Sequence, residues 1–109
     1  MSLQEVTEQE LLESLQDNSS AKAVYFYTGL CGTCQLGERM LEIALVAAPS
    51  IRVYKININY APLLRDKWKI SSVPALVLLE HGAPVQTEYA MRSVDHLYTL
   101  LTKHFSSPK

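Results

Sequence analysis

Cysteine is scarce in this sequence: two residues in 109, Cys31 and Cys34, with only Gly32 and Thr33 between them. A loop that short cannot staple a fold, so a structural disulfide is a poor reading of the pair. Charge of one sign is missing too, with 10 Lys+Arg against 11 Asp+Glu and a net charge of -1. That leaves no basic field to hold phosphate backbones and no excess for a lipid surface, so neither nucleic acid nor membrane is expected as a partner. No apolar run approaches the ~20 residues that span a bilayer. The opening MSLQEVTEQELLE is acidic and has no basic segment followed by an apolar stretch. A secretory signal is therefore unsupported and the cytoplasm is the expected compartment. Internal repeats, low-complexity tracts and linkers are absent as well. What is present is a 48% hydrophobic chain of a length that fits one domain over residues 1–109, with an ordered core expected over about 6–105.

Thr7 and Glu10 form a capping box ahead of Leu11, Leu12 and Leu15, which predicts a helix from Glu8 to Gln16. Asp17-Asn18-Ser19-Ser20 breaks it. Leu3 and Val6 give a weak signal for a short strand before it. Ala23-Val24-Tyr25-Phe26-Tyr27 is continuously non-polar, as in a strand covered on both faces. A long helix follows, with Leu36, Met40, Ile43, Ala44 and Ala47 as its apolar face and Pro49 closing it. Gly37 within it carries a modest propensity cost and allows close packing.

Ile51, Val53, Ile56 and Ile58 mark the next strand. Pro62 opens a short helix carrying Leu63, Leu64 and Trp68, with Trp68 expected in the core. Ala75 to Leu79 is a second strongly apolar strand. Glu80 to Pro84 is a turn, and Val85 to Tyr89 a more polar strand able to close a hairpin. Ser93 caps a last helix bearing Val94, Leu97, Tyr98 and Leu101, and residues 106–109 form a tail. Strands alternating with helices imply an α/β fold whose parallel core is covered by helices on both faces, with the hairpin as an antiparallel edge.

The dithiol falls between the first buried strand and the longest helix. Free N–H groups and the positive end of the peptide dipoles favour a thiolate there, and a lowered thiol pKa raises the nucleophile fraction near neutral pH. At this junction Cys31 is expected to be exposed and Cys34 turned inward. Cys31 then attacks a partner disulfide as nucleophile, and Cys34 resolves the mixed disulfide. Gly32 keeps the bend unhindered; Thr33 bonds sulfur or caps the helix. The competing readings are half a zinc site or two incidental buried thiols. Zinc needs two more ligands, and His81, His96 and His104 are scattered, so no metal is expected. The three histidines are read as solvated or packing residues.

With the dithiol so placed, the chain resembles the thioredoxin family from about Val6 to Phe105. Phe26-Tyr27-Thr28-Gly29-Leu30-Cys31-Gly32-Thr33-Cys34 is similar to the family's strand and active-site loop. Val53-Tyr54-Lys55-Ile56-Asn57-Ile58-Asn59 resembles its central strand, and Lys67-Trp68-Lys69-Ile70-Ser71-Ser72-Val73-Pro74-Ala75-Leu76 the approach to its cis-proline. Gly82 falls where the family turns its hairpin. The resemblance implies a thioredoxin fold with a central mixed sheet of four strands, five if the Leu3–Val6 segment joins. It also implies a cis Val73–Pro74 bond facing the dithiol, with Val73 pairing through its backbone to an extended client segment. Leu30, Gly32, Thr33, Val73 and Pro74 are thus the expected substrate-binding residues.

Four positions depart from the family pattern. Leu30 replaces the usual Trp before the first Cys, removing a flat docking surface. Gly32-Thr33 replaces Gly-Pro, which changes the redox poise. Tyr25 occupies the place of a buried acid and is a poor base, since a phenol has a pKa of about 10. Lys55 is the nearest charge-adjusting group, and without an acid partner it is expected to turn its amine to solvent and bury its stem. Arg39 stands where the family often has a kinking proline, so a straighter helix is expected. Tyr27 and Tyr60 either line the dithiol surface or, as large aromatics more often do, are buried.

The resemblance implies a monomeric thioredoxin-like protein-disulfide reductase without metal or bound cofactor. Its partners are disulfide-bearing client proteins, with a flavin reductase or a low-molecular-weight thiol as reductant. The alternatives are a glutaredoxin-like reductase of small-thiol mixed disulfides and a non-catalytic binding or redox-sensing module of the same fold.

Overall fold

The computed structural model describes residues 3–17 and 20–106. Asn18 and Ser19 of the expected helix break, and residues 107–109 of the expected tail, lie outside them. The elements in order are β1 (Leu3–Glu5), α1 (Glu8–Ser14), β2 (Lys22–Tyr27), α2 (Gly32–Val46), β3 (Val53–Asn57), a 3-10 turn (Ile58–Tyr60), α3 (Pro62–Lys67), β4 (Ala75–Glu80), β5 (Ala83–Glu88) and α4 (Val94–Ser106). The weak signal at Leu3 is a real strand, so the sheet has five strands in the order β1-β3-β2-β4-β5.

Strand β3 pairs in parallel with β1 and β2, whereas β4 is antiparallel to both β2 and β5. The sheet is therefore mixed, and its parallel part stops at β2, short of the buried strand β4 that alternation alone would add to it. A parallel partner needs a crossover that carries the chain back along the whole sheet. The connection from Asn57 to Ala75 is long enough for one, but its only α-helix has six residues, about 9 Å, and the chain re-enters the sheet at the end it left. Strand β4 consequently starts beside the carboxyl end of β2, with Ala75 opposite Phe26. That reversal sets Pro74 next to the loop that carries the cysteines.

Both faces of the sheet are covered, which explains the unbroken apolar runs of β2 and β4. On one face Ala23, Tyr25, Leu76 and Leu78 pack against Leu41 and Leu45 of α2 and Leu97 and Leu101 of α4. On the other, Val24, Phe26, Val77 and Leu79 meet Leu11 of α1 and Leu64 with the adjacent Trp68. Trp68 is in the core as expected, edge-on to Phe26 at 6.1 Å.

Helix α1 begins with the reciprocal Thr7–Glu10 capping box but stops at Ser14, short of the expected Gln16. Its last turn tightens as the Gln16 N–H bonds the Glu13 carbonyl, a 3-10 closure. Helix α3 has no side-chain cap of its own. Instead the Glu8 carboxylate of α1 accepts the Leu64 N–H at 2.7 Å, tying the two helices of that face together.

The buried side of α2 matches the expected one only in part, at Ala44 and the partly buried Met40. Cys34, Gly37, Leu41, Ala44 and Leu45 are buried, while Leu36 and Ile43 are more than half exposed. Two apolar stripes run along this helix with similar spacing. The narrower one faces inward because its small residues let the helix sit close over Tyr25. A Cβ at Gly37 would lie 2.5 Å from the Tyr25 hydroxyl and 2.8 Å from Met91 Cγ.

The β4–β5 hairpin turns at His81 and Gly82, both at positive φ (55° and 78°), as a two-residue turn of the twist-compatible type requires. Strand β5 is the exposed edge and carries Pro84, a residue that suits an edge because it offers no N–H to an incoming strand.

Candidate active site

Strand β2 delivers the chain to Thr28–Leu30, and Cys31 is the N-cap of α2. The Cys34 N–H donates to Cys31 Sγ at 3.1 Å, and Thr33 Oγ1 lies 3.4 Å from the same sulfur. The first of these is the cap contact expected at a helix start, where the first N–H groups have no partner within the helix; the second is with a side-chain hydroxyl. Cys31 is half-buried, while Cys34 is only 1% exposed. The two are joined as a disulfide with their Cα atoms 5.1 Å apart. Leu30 is fully exposed, projecting beside the dithiol. A Cβ at Gly32 would meet nothing within 4 Å, so the bend does not depend on a glycine there.

The Val73–Pro74 bond is cis. Pro74 and Thr33 line one open groove of about 310 Å³ together with Leu36, Met40, Tyr89 and Arg92. Val73 is half-buried and is not part of that lining. The groove thus brings together Thr33 and Pro74 of the expected substrate-binding set.

Beneath the first turns of α2 lies a polar layer. The parallel register sets Glu5 of β1, Lys55 of β3 and Tyr25 of β2 side by side on the α2 face. The Tyr25 hydroxyl donates to the Cys34 carbonyl at 2.6 Å. Burial, reinforced by the charge of Glu38, pushes this phenol well above its ordinary range. Tyr27 is raised for the same first reason, burial, and further by its hydrogen bond to Glu5 and the nearby carboxylates.

Lys55 corrects the expectation drawn from its missing strand acid. Its amine is not turned to solvent but paired with Glu38 Oε2 at 2.5 Å, with both side chains more than three-quarters buried (21% and 24% exposed). The amine also sits 5.6 Å from the centre of the Tyr27 ring. Sequence reasoning missed Glu38. Its signal was helical spacing, one turn after Cys34 on the same helix.

A thioredoxin family model matches residues 2–103. A thioredoxin-like protein of Bacillus subtilis, YusE, is 36% identical over 105 residues, covering 96% of each chain. A thioredoxin of Chlamydia trachomatis is 26% identical over 102 residues, 94% of this chain and 98% of its own length. The chain belongs to the thioredoxin family. Among solved structures, a mutant thioredoxin of Halobacterium salinarum superposes with a TM-score of 0.81 at 24% identity, over 99% of this chain and 95% of that one. The oxidised thioredoxin of Plasmodium falciparum gives 0.78 at 21%, over 95% and 99%.

With its paired cysteines, this thioredoxin-family chain is a protein thiol–disulfide oxidoreductase. Among the described residues no group of three metal-ligating side chains gathers, and no helix is long and apolar enough to cross a membrane.

Two of the histidines are more engaged than the sequence suggests. His96 lies 3.0 Å from the Glu88 carboxylate, and His104 Nε2 lies 3.1 Å from both the Lys22 and Leu79 carbonyls. Tyr60 is neither buried nor on the dithiol groove. It is 76% exposed and lines a separate depression with Glu5, Thr7 and Asn57. Helix α2 runs without interruption past Arg39.

Proposed function

We propose that this thioredoxin-family protein works in the cytoplasm as a monomeric reductant of disulfides on client proteins. Cys31 attacks the client disulfide and Cys34 resolves the mixed disulfide. Leu30, Gly32, Thr33 and Pro74 form the surface against which the client lies, and Val73 holds it by its backbone. Tyr25 and Lys55 support the inner sulfur. A flavin reductase or a low-molecular-weight thiol returns the disulfide to the dithiol, and no metal or bound cofactor takes part.

The observation that carries this reading is the asymmetry of the two sulfurs. The accessible one caps a helix, where N–H groups and dipoles favour a thiolate. The other is 1% exposed and lies within bonding reach of the first. Such a pair supports attack by Cys31 followed by intramolecular capture of that same sulfur.

The test is the reduction potential of the Cys31–Cys34 couple, together with turnover on insulin and on a glutathionyl adduct. A potential near or below the cytosolic poise of roughly -220 to -260 mV, with faster turnover on insulin, is expected. A potential far above that poise would make the protein an oxidant. Faster turnover on the adduct would make it a small-thiol reductase.

A further inference from the structure

Resolution of a mixed disulfide requires the Cys34 thiol to lose its proton, because the thiolate is the attacking species. Cys34 is buried, and burial in apolar surroundings opposes thiolate formation. A carboxylate or other base placed nearby to take the proton would speed this step. Tyr25 does not serve: its hydroxyl already donates to the Cys34 carbonyl at 2.6 Å, and burial with the adjacent Glu38 charge holds it protonated. His104 bonds carbonyls at the far end of β2, around Lys22, and His96 is engaged with Glu88.

Glu38 remains. It follows Cys34 by one helical turn, and side chains on a helix lean toward the preceding turn, which here is the turn of Cys34. Its charge acts on Tyr25, whose hydroxyl bonds the backbone carbonyl of Cys34. Its own position is fixed by Lys55, 2.5 Å away.

We propose that Glu38, held by Lys55, accepts the proton of the Cys34 thiol when that thiol resolves the mixed disulfide. The inference rests on the assignment of Cys34 as the resolving sulfur. In this step the Cys34 S–H proton passes to the Glu38 carboxylate, directly or through one water. The freed electron pair forms the Cys31–Cys34 bond, the bond between Cys31 and the client breaks, and the client sulfur leaves as a thiolate. That thiolate then recovers a proton from Glu38 or from water, which closes the balance. The other ionisable groups facing this carboxylate are Lys55 on β3 and Tyr25 and Tyr27 on β2. Glu5 on β1 and Tyr60 on the 3-10 turn act through Tyr27.

Reduced protein treated with dithionitrobenzoate separates the steps. A concentration-dependent first phase reports attack by Cys31, and a concentration-independent second phase reports resolution by Cys34. For Glu38→Gln the second phase is expected to slow at least about tenfold near neutral pH, a threshold set below the roughly 10²–10⁴-fold typical of general-base catalysis. The deficit should shrink as alkali ionises Cys34 unaided. The first phase should stay within about twofold of the parent, and Glu38→Asp should recover part of the loss.

A second phase unchanged in Glu38→Gln, or slowed equally at every pH, would show the ion pair to be structural and overturn the proposal. No second phase in the unmutated chain would overturn the role of Cys34 itself, and the proposal with it. A measurement that needs no change at Glu38 is carbon NMR of its carboxyl in the Cys31→Ser chain. A shift step at the pH where Cys34 ionises is expected, and its absence counts against the proposal.

Discussion

The Tyr25 hydroxyl reaches the Cys34 carbonyl at 2.6 Å through the space left by the missing side chain of Gly37. One strand residue thus fixes the inner end of the dithiol by a hydrogen bond and sets how close α2 lies to the sheet. The same phenol fills the place where a strand acid was absent, and the acid that pairs with Lys55 has come from the helix instead.

Loss of that hydroxyl has a defined cost. Tyr25→Phe should lower stability by about 1 kcal/mol, a fall of roughly 4–8 °C in Tm for a domain of this size. The carbonyl of Cys34 keeps its partner within the helix, so the effect stays at the low end. Thermal melts monitored by circular dichroism check it; an unchanged Tm contradicts it.

Gly37→Ala tests the close approach. Alanine favours the helix by about 1 kcal/mol over glycine, but the new Cβ would stand 2.5 Å from the Tyr25 hydroxyl. Overpacking of a tight core costs typically about 1–3 kcal/mol, and the contact with Met91 at 2.8 Å adds to it. Net destabilisation is expected. In the Tyr25→Phe background the penalty should shrink by more than about 0.5 kcal/mol, the coupling expected of residues in contact. Additive losses in urea titrations would show that hydroxyl and helix do not meet.

Alkali should weaken the fold through the phenols. The folded pKa of Tyr25 lies above its unfolded value, so the folded chain keeps a proton that the unfolded chain has released. The contribution is complete below the unfolded value of about 10 and is lost as pH rises beyond it. Tyr25 alone gives a slope approaching about 1.4 kcal/mol per pH unit, and Tyr27, half-exposed, adds less. Urea midpoints measured across this window should fall, and should fall less steeply in Tyr25→Phe. Equal slopes in the two chains would contradict the assignment.

The bridge between α1 and α3 is testable far from the sulfurs. Glu8→Ala removes the acceptor of the Leu64 N–H and should cost about 1 kcal/mol, as the loss of a helix cap does. Redox turnover should be unaffected. Hydrogen exchange confined to α3 and its neighbours is the check, and uniform exchange across the chain would argue against a local cap.

Much of this architecture was legible in the sequence because local rules and burial agree. The Thr7–Glu10 box, the unbroken runs at Ala23–Tyr27 and Ala75–Leu79, and the placement of the cysteines after a buried strand all survive in the structure. What was not legible depends on partners distant in the chain. The direction of β4 is set by its antiparallel pairing with β2, from Ala75 opposite Phe26 to Leu79 opposite Lys22, which strand–helix alternation does not reveal. On α2 the inward turn of Cys34, the close packing at Gly37 and the burial of Ala44 were legible, but Leu36 and Ile43 were misplaced because they look like core residues, although the smaller Cys34 and Gly37 permit the closer contact and leave them outside. Lys55 was misread because its acid lies on a helix rather than on the neighbouring strand. Leu64 meets Glu8 from 56 residues away, and no local pattern announces that.

The most direct test of the two-sulfur exchange is trapping with single-serine variants. Cys34→Ser should leave Cys31 stalled in stable mixed disulfides with client proteins, visible on non-reducing gels and released by thiol, while Cys31→Ser traps few or none. Equal trapping by both variants, or trapping by Cys31→Ser alone, would contradict the division of labour between an accessible attacker and an inner resolver.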